Sequence, residues 1–217
     1  MRGLHHWLAI RWRLKFDPAG LFHRISNLDW YRDALLDWVD SIGIGSDMRL
    51  LEVGCATGML SKHLSQTASV VGIDRSAAMI AIARQSNAGG RNHFITGDAT
   101  ALPFAVRQFN CALAASLINV VADPQRALAE MQRVVVKGGL VSALVPDATM
   151  TDHKVRALIA SLGIRGFSRE ALWAWHRLAL KISADNLHTW FNAAGIGEHK
   201  VRPHLHGMLI SITGYTP

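Results

Sequence analysis

A short apolar run that leads into two closely spaced glycines constrains the fold more than any other part of this chain. A helical pattern begins at Met59, directly after the segment Leu50-Leu51-Glu52-Val53-Gly54-Cys55-Ala56-Thr57-Gly58. The apolar run is too short for a helix, so the segment predicts a strand, a turn and a helix in succession. Because glycine has no Cβ, the turn can bend sharply and a ligand can approach its main chain. An ordinary tight turn also uses glycine, so this segment alone does not identify a ligand.

The apolar pattern of the following residues repeats this strand and helix alternation. Strands are predicted at residues 49–53, 69–74, 93–96, 109–115 and 140–145, with a glycine stop at 137–139 before the last of them. Helical patterns follow the first, second and fourth of these strands and also lie at 28–42, and Ser76 suits the N-cap of one helix. Strands with continuous apolar runs are typical of a parallel, doubly wound sheet with helices on both faces. A last helix at 184–194 and two strands near 199–202 and 208–215 bring the predicted sheet to seven strands.

Two further helical patterns interrupt the alternation after the fifth strand. They lie at about 155–162 and 168–182, within residues 147–182. Helices inserted at this point of a doubly wound sheet cover the strand ends, where ligands bind. The chain is therefore predicted to form one domain over residues 28–217, with a helical cap at about 147–182. Residues 1–27 are predicted to form a basic, aromatic helical arm.

Length and composition limit the class of protein. A chain of 217 residues suits one well-filled α/β domain. No apolar run approaches the roughly 18–20 residues that span a bilayer, and basic residues interrupt the first segment, so no secretory signal is predicted. Cys55 and Cys111 belong to no metal or redox spacing, and a reducing cytoplasm is the simplest compartment.

The formal charge of +7 is concentrated near the start of the chain. Aromatic residues including Trp7 and Trp12 alternate there with Arg2, Arg11, Arg13, Lys15, Arg24 and Arg32. This pattern fits an interfacial helix on anionic lipid, a nucleic-acid contact, or an arm that packs on the domain with its charges in solvent. Peripheral membrane contact through this arm is one expectation, and sedimentation with anionic vesicles at low salt would test it.

Three acidic residues are predicted to meet at one edge of the sheet. Glu52 lies in the first strand, Asp74 ends the second and Asp98 follows the third. The carboxyl ends of such strands line one crevice, where Asp74 could bind a ribose diol and Asp98 an exocyclic amine. The turn lacks the G-x-G-x-x-G pattern of nicotinamide-binding folds and the Gly-Lys-Ser/Thr of a P-loop. Three carboxylates also favour a cationic ligand over a polyphosphate.

These motifs, in this order, resemble those of the class I S-adenosylmethionine-dependent methyltransferases. The resemblance covers residues 28–146 and includes the glycine segment, Asp74, Gly97-Asp98-Ala99, Leu102-Pro103-Phe104, Asn110 and residues 133–139. Two positions depart from the family pattern. Ala56 replaces the usual middle glycine of the turn, and Asn110 replaces a frequent aspartate early in the fourth strand.

The resemblance implies S-adenosylmethionine as cofactor and S-adenosylhomocysteine as product. Glu52, Gly54 and Gly58 would flank the methionine part. Asp74 would bind the ribose, and Asp98 with Ala99 the adenine. The full set of expected cofactor contacts is Glu52, Gly54, Cys55, Ala56, Gly58, Asp74, Arg75, Asp98, Ala99 and Ser116.

Residues 115–123 resemble the small-molecule and quinone-methylating branch of the family. They lack the Asn/Asp-Pro-Pro-aromatic motif of enzymes that methylate amino groups of bases, so nucleic acid is not the expected substrate. The expected acceptor is a small apolar or amphiphilic molecule that is methylated on oxygen, nitrogen, sulfur or carbon. An RNA-directed methyltransferase and a non-catalytic binding or regulatory subunit are the alternative interpretations. The oligomeric state stays open.

Methyl transfer from a sulfonium requires alignment of the acceptor, exclusion of water and, for weakly acidic acceptors, removal of a proton. His176 is the first candidate base, although a half-buried structural histidine would show the same pattern. The expected acceptor contacts are Trp30, Tyr31, Asn119 and Trp173, of which Tyr31 also fits a core position. His204 and His206 alternate on a predicted strand, which would place both imidazoles on one face. No metal is predicted, since a third clear ligand is missing.

Overall fold

The computed structural model describes residues 18–88, 90 and 92–217, without the side chains of residues 18, 19 and 22. Two helices, α1 (Pro18–Ser26) and α2 (Asp29–Asp40), precede the sheet. The alternating part consists of β1 (Arg49–Val53), α3 (Met59–Leu64), β2 (Ser69–Asp74), α4 (Ala77–Ser86), β3 (His93–Thr96), β4 (Phe109–Ala115), α5 (Pro124–Val134) and β5 (Val135–Pro146). The last part consists of α6 (Asp152–Ser161), α7 (Gly166–Leu178), α8 (Ala184–Ala193), β6 (Gly197–His204) and β7 (Leu209–Tyr215).

The seven strands form one sheet in the order β3-β2-β1-β4-β5-β7-β6. All neighbours from β3 to β5 are parallel, and β7 runs antiparallel to both β5 and β6. The predicted seven-stranded, mostly parallel sheet is therefore confirmed. The strand order reverses between β1 and β4, which pair through Leu50 and Cys111. A crevice for a ligand opens at such a reversal, beyond the carboxyl ends of the strands.

Alternate residues of the same strands build two separate cores. Leu51 and Val53 of β1 belong to a core that α5 and α8 cover with Leu128, Met131 and Phe191. Leu50 of β1 faces the opposite core, which α2 and α3 cover. Both cores are needed because successive side chains of a strand point to opposite faces. The Ser76 side chain caps α4 by accepting from Met79 N, as predicted.

The cap after β5 has a hydrophobic core of its own. Val155 and Leu158 of α6 and Leu172 of α7 pack there with Trp30 of α2. The cap predicted after the fifth strand is confirmed. Helix α1 lies against α7, because Leu21 packs with two alanines of that helix.

None of the described helices has the length and apolar character needed to cross a bilayer. The basic positions before residue 18 lie outside the described residues, so the expected lipid contact stays a prediction.

The prediction that β5 starts after a glycine stop is wrong. Helix α5 ends at Val134 and the strand begins at once, with Val135 paired to Phe109. The ladder then shifts register and resumes at Leu140, opposite Cys111. The intervening backbone is held by the end of the chain, because Gly138 N donates to Thr216 O and Thr216 N donates to Gly139 O. These bonds let the glycine pair remain inside the strand as an irregularity.

The prediction that His204 and His206 share a strand face is also wrong. A single 3-10 turn, Leu205–Gly207, follows His204, and both Leu205 and His206 have positive φ. His204 is buried, with Nδ1 2.6 Å from Asp37 Oδ2 and Nε2 2.8 Å from Ser211 Oγ. His206 is exposed. His204 therefore attaches α2 to the β6–β7 edge, and it does not pair with His206.

Gly58→Ala should destabilise the fold more than Gly43→Ala. Both glycines have φ of +75°, a conformation that costs an alanine about 1–2 kcal/mol. An added Cβ at Gly58 would lie 2.9 Å from Asn87 Nδ2 and from the Phe94 ring, whereas nothing lies within 4 Å at Gly43. Urea unfolding of both variants separates backbone strain from this steric clash. Equal losses in the free energy of unfolding would show that the Phe94 ring can move aside without a cost in stability.

Candidate functional site

The glycine turn between β1 and α3 is attached to the end of β2. Gly54 N and Cys55 N both donate to Ile73 O, at 2.8 and 3.0 Å. Gly54 and Gly58 have φ of +75°, as the absence of a Cβ allows. An added Cβ at Gly54 would lie 3.1 Å from Leu117, which follows β4. The turn is therefore enclosed by the ends of β2 and β4, at the reversal of strand order.

Ala56 adopts a left-handed conformation although it is not glycine. Its φ is +46°, and its N–H donates to Asp74 Oδ2 at 3.0 Å. A charge-assisted bond of this kind stabilises by about 1.5–3 kcal/mol, which is enough to offset the strain of one left-handed alanine. The departure from the usual glycine is thus accommodated by a carboxylate.

Asp74 accepts one backbone hydrogen bond on each carboxylate oxygen. Oδ1 accepts from Ser76 N at 2.9 Å and Oδ2 from Ala56 N at 3.0 Å. A carboxylate oxygen can accept two bonds, so each oxygen keeps one free lone pair. The two backbone donors orient the group, and its two oxygens suit a vicinal diol.

Glu52 is a buried carboxyl group at the end of β1. It is 4% exposed and accepts a hydrogen bond from the Ser61 hydroxyl of α3. Burial raises the pKa of Glu52 to about 7, with a smaller contribution in the same direction from the charge of Asp74. Because burial without a counter-charge disfavours the anion, a cationic ligand beside Glu52 would favour ionisation.

Cys55 does not bring its side chain to the crevice. Its thiol is buried against Ile80 and Ala83 of α4 and Phe94 of β3. Burial raises the pKa of this thiol, so it packs as an uncharged apolar group. A ligand contact at this position would have to involve the backbone.

Glu52, Asp74 and Asp98 lie at the ends of the neighbouring strands β1, β2 and β3, and we call them the acidic row; Asp98, after β3, is its outer member. It is exposed, and its Oδ1 accepts from both N and Oγ1 of Thr100 at 2.8 Å. These bonds lower the pKa of Asp98, and the charge of Arg75 adds to the effect. Oδ2 has no protein partner within the described part of the chain and can accept from a ligand. Ala99 packs beside it on the sheet core.

The loop after β4 supplies two polar side chains. Ser116 N donates to Leu144 O at 2.7 Å, and Ser116 Oγ accepts from the Tyr31 hydroxyl at 3.3 Å. Asn119 is 8% exposed and donates from Nδ2 to Leu180 O at 3.3 Å. Its Oδ1 is buried without a partner in the described structure. An unpaired buried acceptor is costly, so a contact of Asn119 with the methyl acceptor stays a prediction.

The cap brings a different tryptophan to this loop than the sequence predicted. The Trp175 ring lies 6.3 Å from Tyr31 and 5.5 Å from Trp30, between centroids. Residues two apart in a helix point about 200° apart, so Trp173 faces elsewhere. The indole of Trp30 is 3% exposed and donates to Ser168 Oγ, which makes it part of the cap core.

His176 and Trp173 lie together on the side of α7 that faces α6. Their ring centroids are 6.0 Å apart, and the guanidinium of Arg177 lies over Trp173. His176 is buried, and its Nε2 lies 2.9 Å from Asp152 Oδ1. Its Nδ1 is buried with no partner in the described structure. His176 therefore joins the two cap helices, and its role in proton transfer stays a prediction.

Three contacts at the strand ends were not predicted. One is Trp175, which the helical pattern contained but did not distinguish from its neighbours. The second is Asp147, which is 8% exposed and directly follows β5, much as Asp74 ends β2; this similarity could have identified it. The third is a 3.1 Å contact between His23 of α1 and Thr57 of the glycine turn, which no sequence pattern indicates.

Two surface cavities lie away from the acidic row. One, of about 490 Å³, is lined by Arg107, Lys137 and Thr216 at the amino end of β5. The other, of about 640 Å³, lies between α2 and the turn that joins α6 to α7. Neither is lined by Glu52, Asp74 or Asp98. Within the described residues, no three His, Cys, Asp or Glu side chains are grouped as metal ligands.

Comparison with known proteins places this geometry in a family. A methyltransferase domain family matches residues 51–143. A demethylmenaquinone methyltransferase from Renibacterium salmoninarum is 33% identical over 187 residues, covering 80% of this chain and 76% of the relative. A 2-phytyl-1,4-naphtoquinone methyltransferase from Thermosynechococcus vestitus is 35% identical over 120 residues, about half of each protein.

Solved structures share the fold. A methyltransferase from Thermotoga maritima, described as dependent on S-adenosylmethionine, has a TM-score of 0.67 at 22% identity and covers 96% of this chain and 98% of its own. Phosphoethanolamine N-methyltransferase 2 from Haemonchus contortus, in complex with S-adenosyl-L-methionine, has a TM-score of 0.64 at 13% identity. The latter covers 86% of this chain and 53% of its own.

Glu52→Gln should remove one component of the pH dependence of folding stability. Since the folded pKa of about 7 lies above the ordinary value of 4.5, the folded state binds this proton more tightly. The stabilisation is complete below pH 4.5 and is lost as the pH rises through 7, a change of roughly 3 kcal/mol. Urea unfolding from pH 4.5 to about pH 8 measures it, with the exposed Glu198→Gln as control. A wild-type to Glu52→Gln difference that is independent of pH would contradict the assignment.

Proposed function

Because this chain belongs to the class I S-adenosylmethionine-dependent methyltransferases, we propose that it methylates a small apolar or amphiphilic acceptor of the quinone type. S-adenosylmethionine supplies a methyl group that its sulfonium already activates for in-line displacement, and S-adenosylhomocysteine is the product. The observation that carries the proposal is the acidic row around the glycine turn, with Asp74 oriented by two backbone donors. The protein's own residues have to bind the two substrates, align them and exclude water.

The described residues fit this cofactor in charge and in shape. The free lone pairs of Asp74 suit the ribose diol, and Asp98 Oδ2 with the adjacent Ala99 suits the adenine. Gly54 and Gly58 allow the methionine part to approach the main chain. Glu52, buried beside that turn, suits the cationic end of the ligand. The charge of Arg75 lowers the pKa of Asp98, and a direct contact of Arg75 with the cofactor stays a prediction.

The acceptor side is supported by the aromatic residues under the cap. Tyr31, which bonds to Ser116, and Trp175, which contacts Tyr31, are both half-buried and have flat apolar surfaces that suit an aromatic ring. Asn119, three residues after Ser116 in the same loop, has a carbonyl oxygen without a partner in the described structure. Relatives whose names specify quinone substrates are 33–35% identical to this chain. A quinone-like aromatic ring therefore suits this side of the crevice better than a polar substrate.

The two alternative interpretations receive less support. An RNA-directed enzyme would need basic side chains around the crevice, whereas the strand ends there carry the carboxylates Asp74 and Asp98. A non-catalytic subunit has no need of an acidic row that suits a cofactor. Contact of the N-terminal arm with anionic lipid lies outside the described residues and stays a prediction.

Asp74→Ala should weaken binding of S-adenosylmethionine by roughly 1.5–3 kcal/mol, because hydrogen bonds to a charged acceptor are lost. Asp74→Asn should weaken it less, since one oxygen still accepts from the diol. Isothermal titration calorimetry measures both variants, with the exposed Asp40→Ala as control. Wild-type affinity in Asp74→Ala would exclude the ribose assignment.

His176→Ala should lower turnover most at low pH, if His176 accepts the acceptor's proton and another base replaces it at high pH. The control is His153→Ala, because His153 is exposed on α6. Turnover is measured with radiolabelled cofactor and any active acceptor found among small thiols, phenols, amines and quinols. Equal pH profiles for wild type and His176→Ala would leave His176 with the helix-joining role that its bond to Asp152 indicates.

A further inference from the structure

Ser116 is strained at the point where β4 ends. Its φ is +51°, in the left-handed region, which is unfavourable for any residue with a Cβ. Its neighbour in the crevice, Gly54, meets the same requirement with glycine. The backbone of Ser116 is held in place, because its N–H donates to Leu144 O of β5 at 2.7 Å. A glycine would satisfy this conformation without strain, so the seryl side chain must have a use.

The only described protein group that bonds to this side chain is the Tyr31 hydroxyl. That hydroxyl donates to Ser116 Oγ at 3.3 Å, although the two residues are 85 positions apart in the sequence. Tyr31 is held from two other sides by rings, with Trp30 at 5.7 Å and Trp175 at 6.3 Å, both in edge contact. Helix α2, the cap and β4 therefore meet at one phenol group.

The hydrogen bond between Tyr31 and Ser116 leaves both hydroxyl groups able to form further hydrogen bonds, which a ligand could use. The Tyr31 proton is used on Ser116, so the phenol oxygen keeps two lone pairs and can only accept. The Ser116 hydroxyl keeps its own proton, for which the described part of the chain offers no acceptor. Both groups are half-buried, at the carboxyl end of β4 and close to Glu52.

We propose that Ser116 is a positioning residue, which holds the Tyr31 hydroxyl against the methyl acceptor. The left-handed backbone turns the seryl oxygen towards α2, and the seryl oxygen fixes the direction of the phenol O–H. Tyr31 then presents its lone pairs to a donor group of the acceptor, beside the Trp175 ring. This inference rests on the proposed function for the existence of an acceptor. It assigns Ser116 to the acceptor side, whereas the sequence predicted a cofactor contact.

The first test observes Tyr31 without any substrate. The chain has only two tyrosines, Tyr31 and Tyr215, so fluorine NMR of protein labelled with 3-fluorotyrosine gives two signals. Tyr31→Phe identifies its signal by removing it. In Ser116→Ala, the Tyr31 signal should shift and broaden because the phenol loses its anchor, and the Tyr215 signal should stay unchanged. An unchanged Tyr31 signal would overturn the proposal.

The second test measures stability, and it separates the effect of the backbone strain at Ser116 from the effect of losing its hydroxyl group. Ser116→Gly and Ser116→Ala both lose the hydroxyl, but only the glycine relieves the left-handed strain. After allowance for the greater flexibility of unfolded glycine, Ser116→Gly should have an unfolding equilibrium constant roughly twofold to fivefold lower than Ser116→Ala. A higher constant for Ser116→Gly would show that no strain is retained at this position, and would remove the reason to assign Ser116 a function.

The third test measures the affinity for the cofactor product and the kcat/KM for a methyl acceptor. S-adenosylhomocysteine affinity, by calorimetry, should stay within about twofold of wild type in Ser116→Ala, since one neutral contact to another residue is removed. A large loss would mean direct cofactor contact and would overturn the positioning role. With 1,4-naphthalenediol as acceptor, Ser116→Ala and Tyr31→Phe should each lower kcat/KM about fivefold, the value of one neutral hydrogen bond.

The double variant distinguishes positioning from separate contributions. If Ser116 acts through Tyr31, adding Ser116→Ala to Tyr31→Phe should cause no further loss, whereas independent effects would multiply. The matched control is Ser142→Ala, which removes a buried seryl hydroxyl bonded to Trp38 of the same helix at 2.9 Å. The Ser142→Ala variant should be less stable than wild type and should keep its kcat/KM.

If 1,4-naphthalenediol is not methylated, its affinity for the S-adenosylhomocysteine complex, measured by calorimetric titration, gives the same comparison. Losses of affinity that multiply in the double variant would overturn the proposal.

Discussion

The Asp74 carboxylate joins the sheet, the glycine turn and the site in one place. It ends β2, and its two oxygens hold the backbone of Ala56 on one side and Ser76 on the other. The first bond stabilises a strained alanine, and the second orients the start of α4. The carboxylate is thereby oriented before a ligand arrives. Binding then costs less, because fewer groups have to be ordered.

Backbone strain occurs on both sides of the crevice. Ala56 in the glycine turn and Ser116 after β4 both adopt the left-handed conformation without being glycine. Each is held by a hydrogen bond from its own N–H, to a carboxylate in one case and to β5 in the other. Strained residues persist only where the surrounding structure determines them strongly. Other left-handed residues, such as Arg107 and Glu198, lie on the surface and are exposed.

The aromatic contact between α2 and the cap decides which part of the cap reaches the strand ends. Tyr31, which bonds to Ser116, makes an edge contact with Trp175, and Trp30 packs against both rings. The rings are large and share edge contacts, so α7 has little freedom to rotate about its axis. Trp175 therefore packs against Trp30 and Tyr31 of α2, and His176 contacts Asp152 at the start of α6.

Apart from the start of β5, the sequence alone determined the strands, their mostly parallel arrangement and the acidic row, because these depend on local apolar periodicity and on strand ends. Glu52, Asp74 and Asp98 could be placed at one edge from their positions in the chain. Contacts between distant segments could not be predicted in this way. The rotation of α7 is set by packing against α2, and the histidine at 204 is buried because Asp37 and Ser211 satisfy both of its nitrogens. Only the tertiary structure brings such partners together, since no local pattern encodes a contact across many residues.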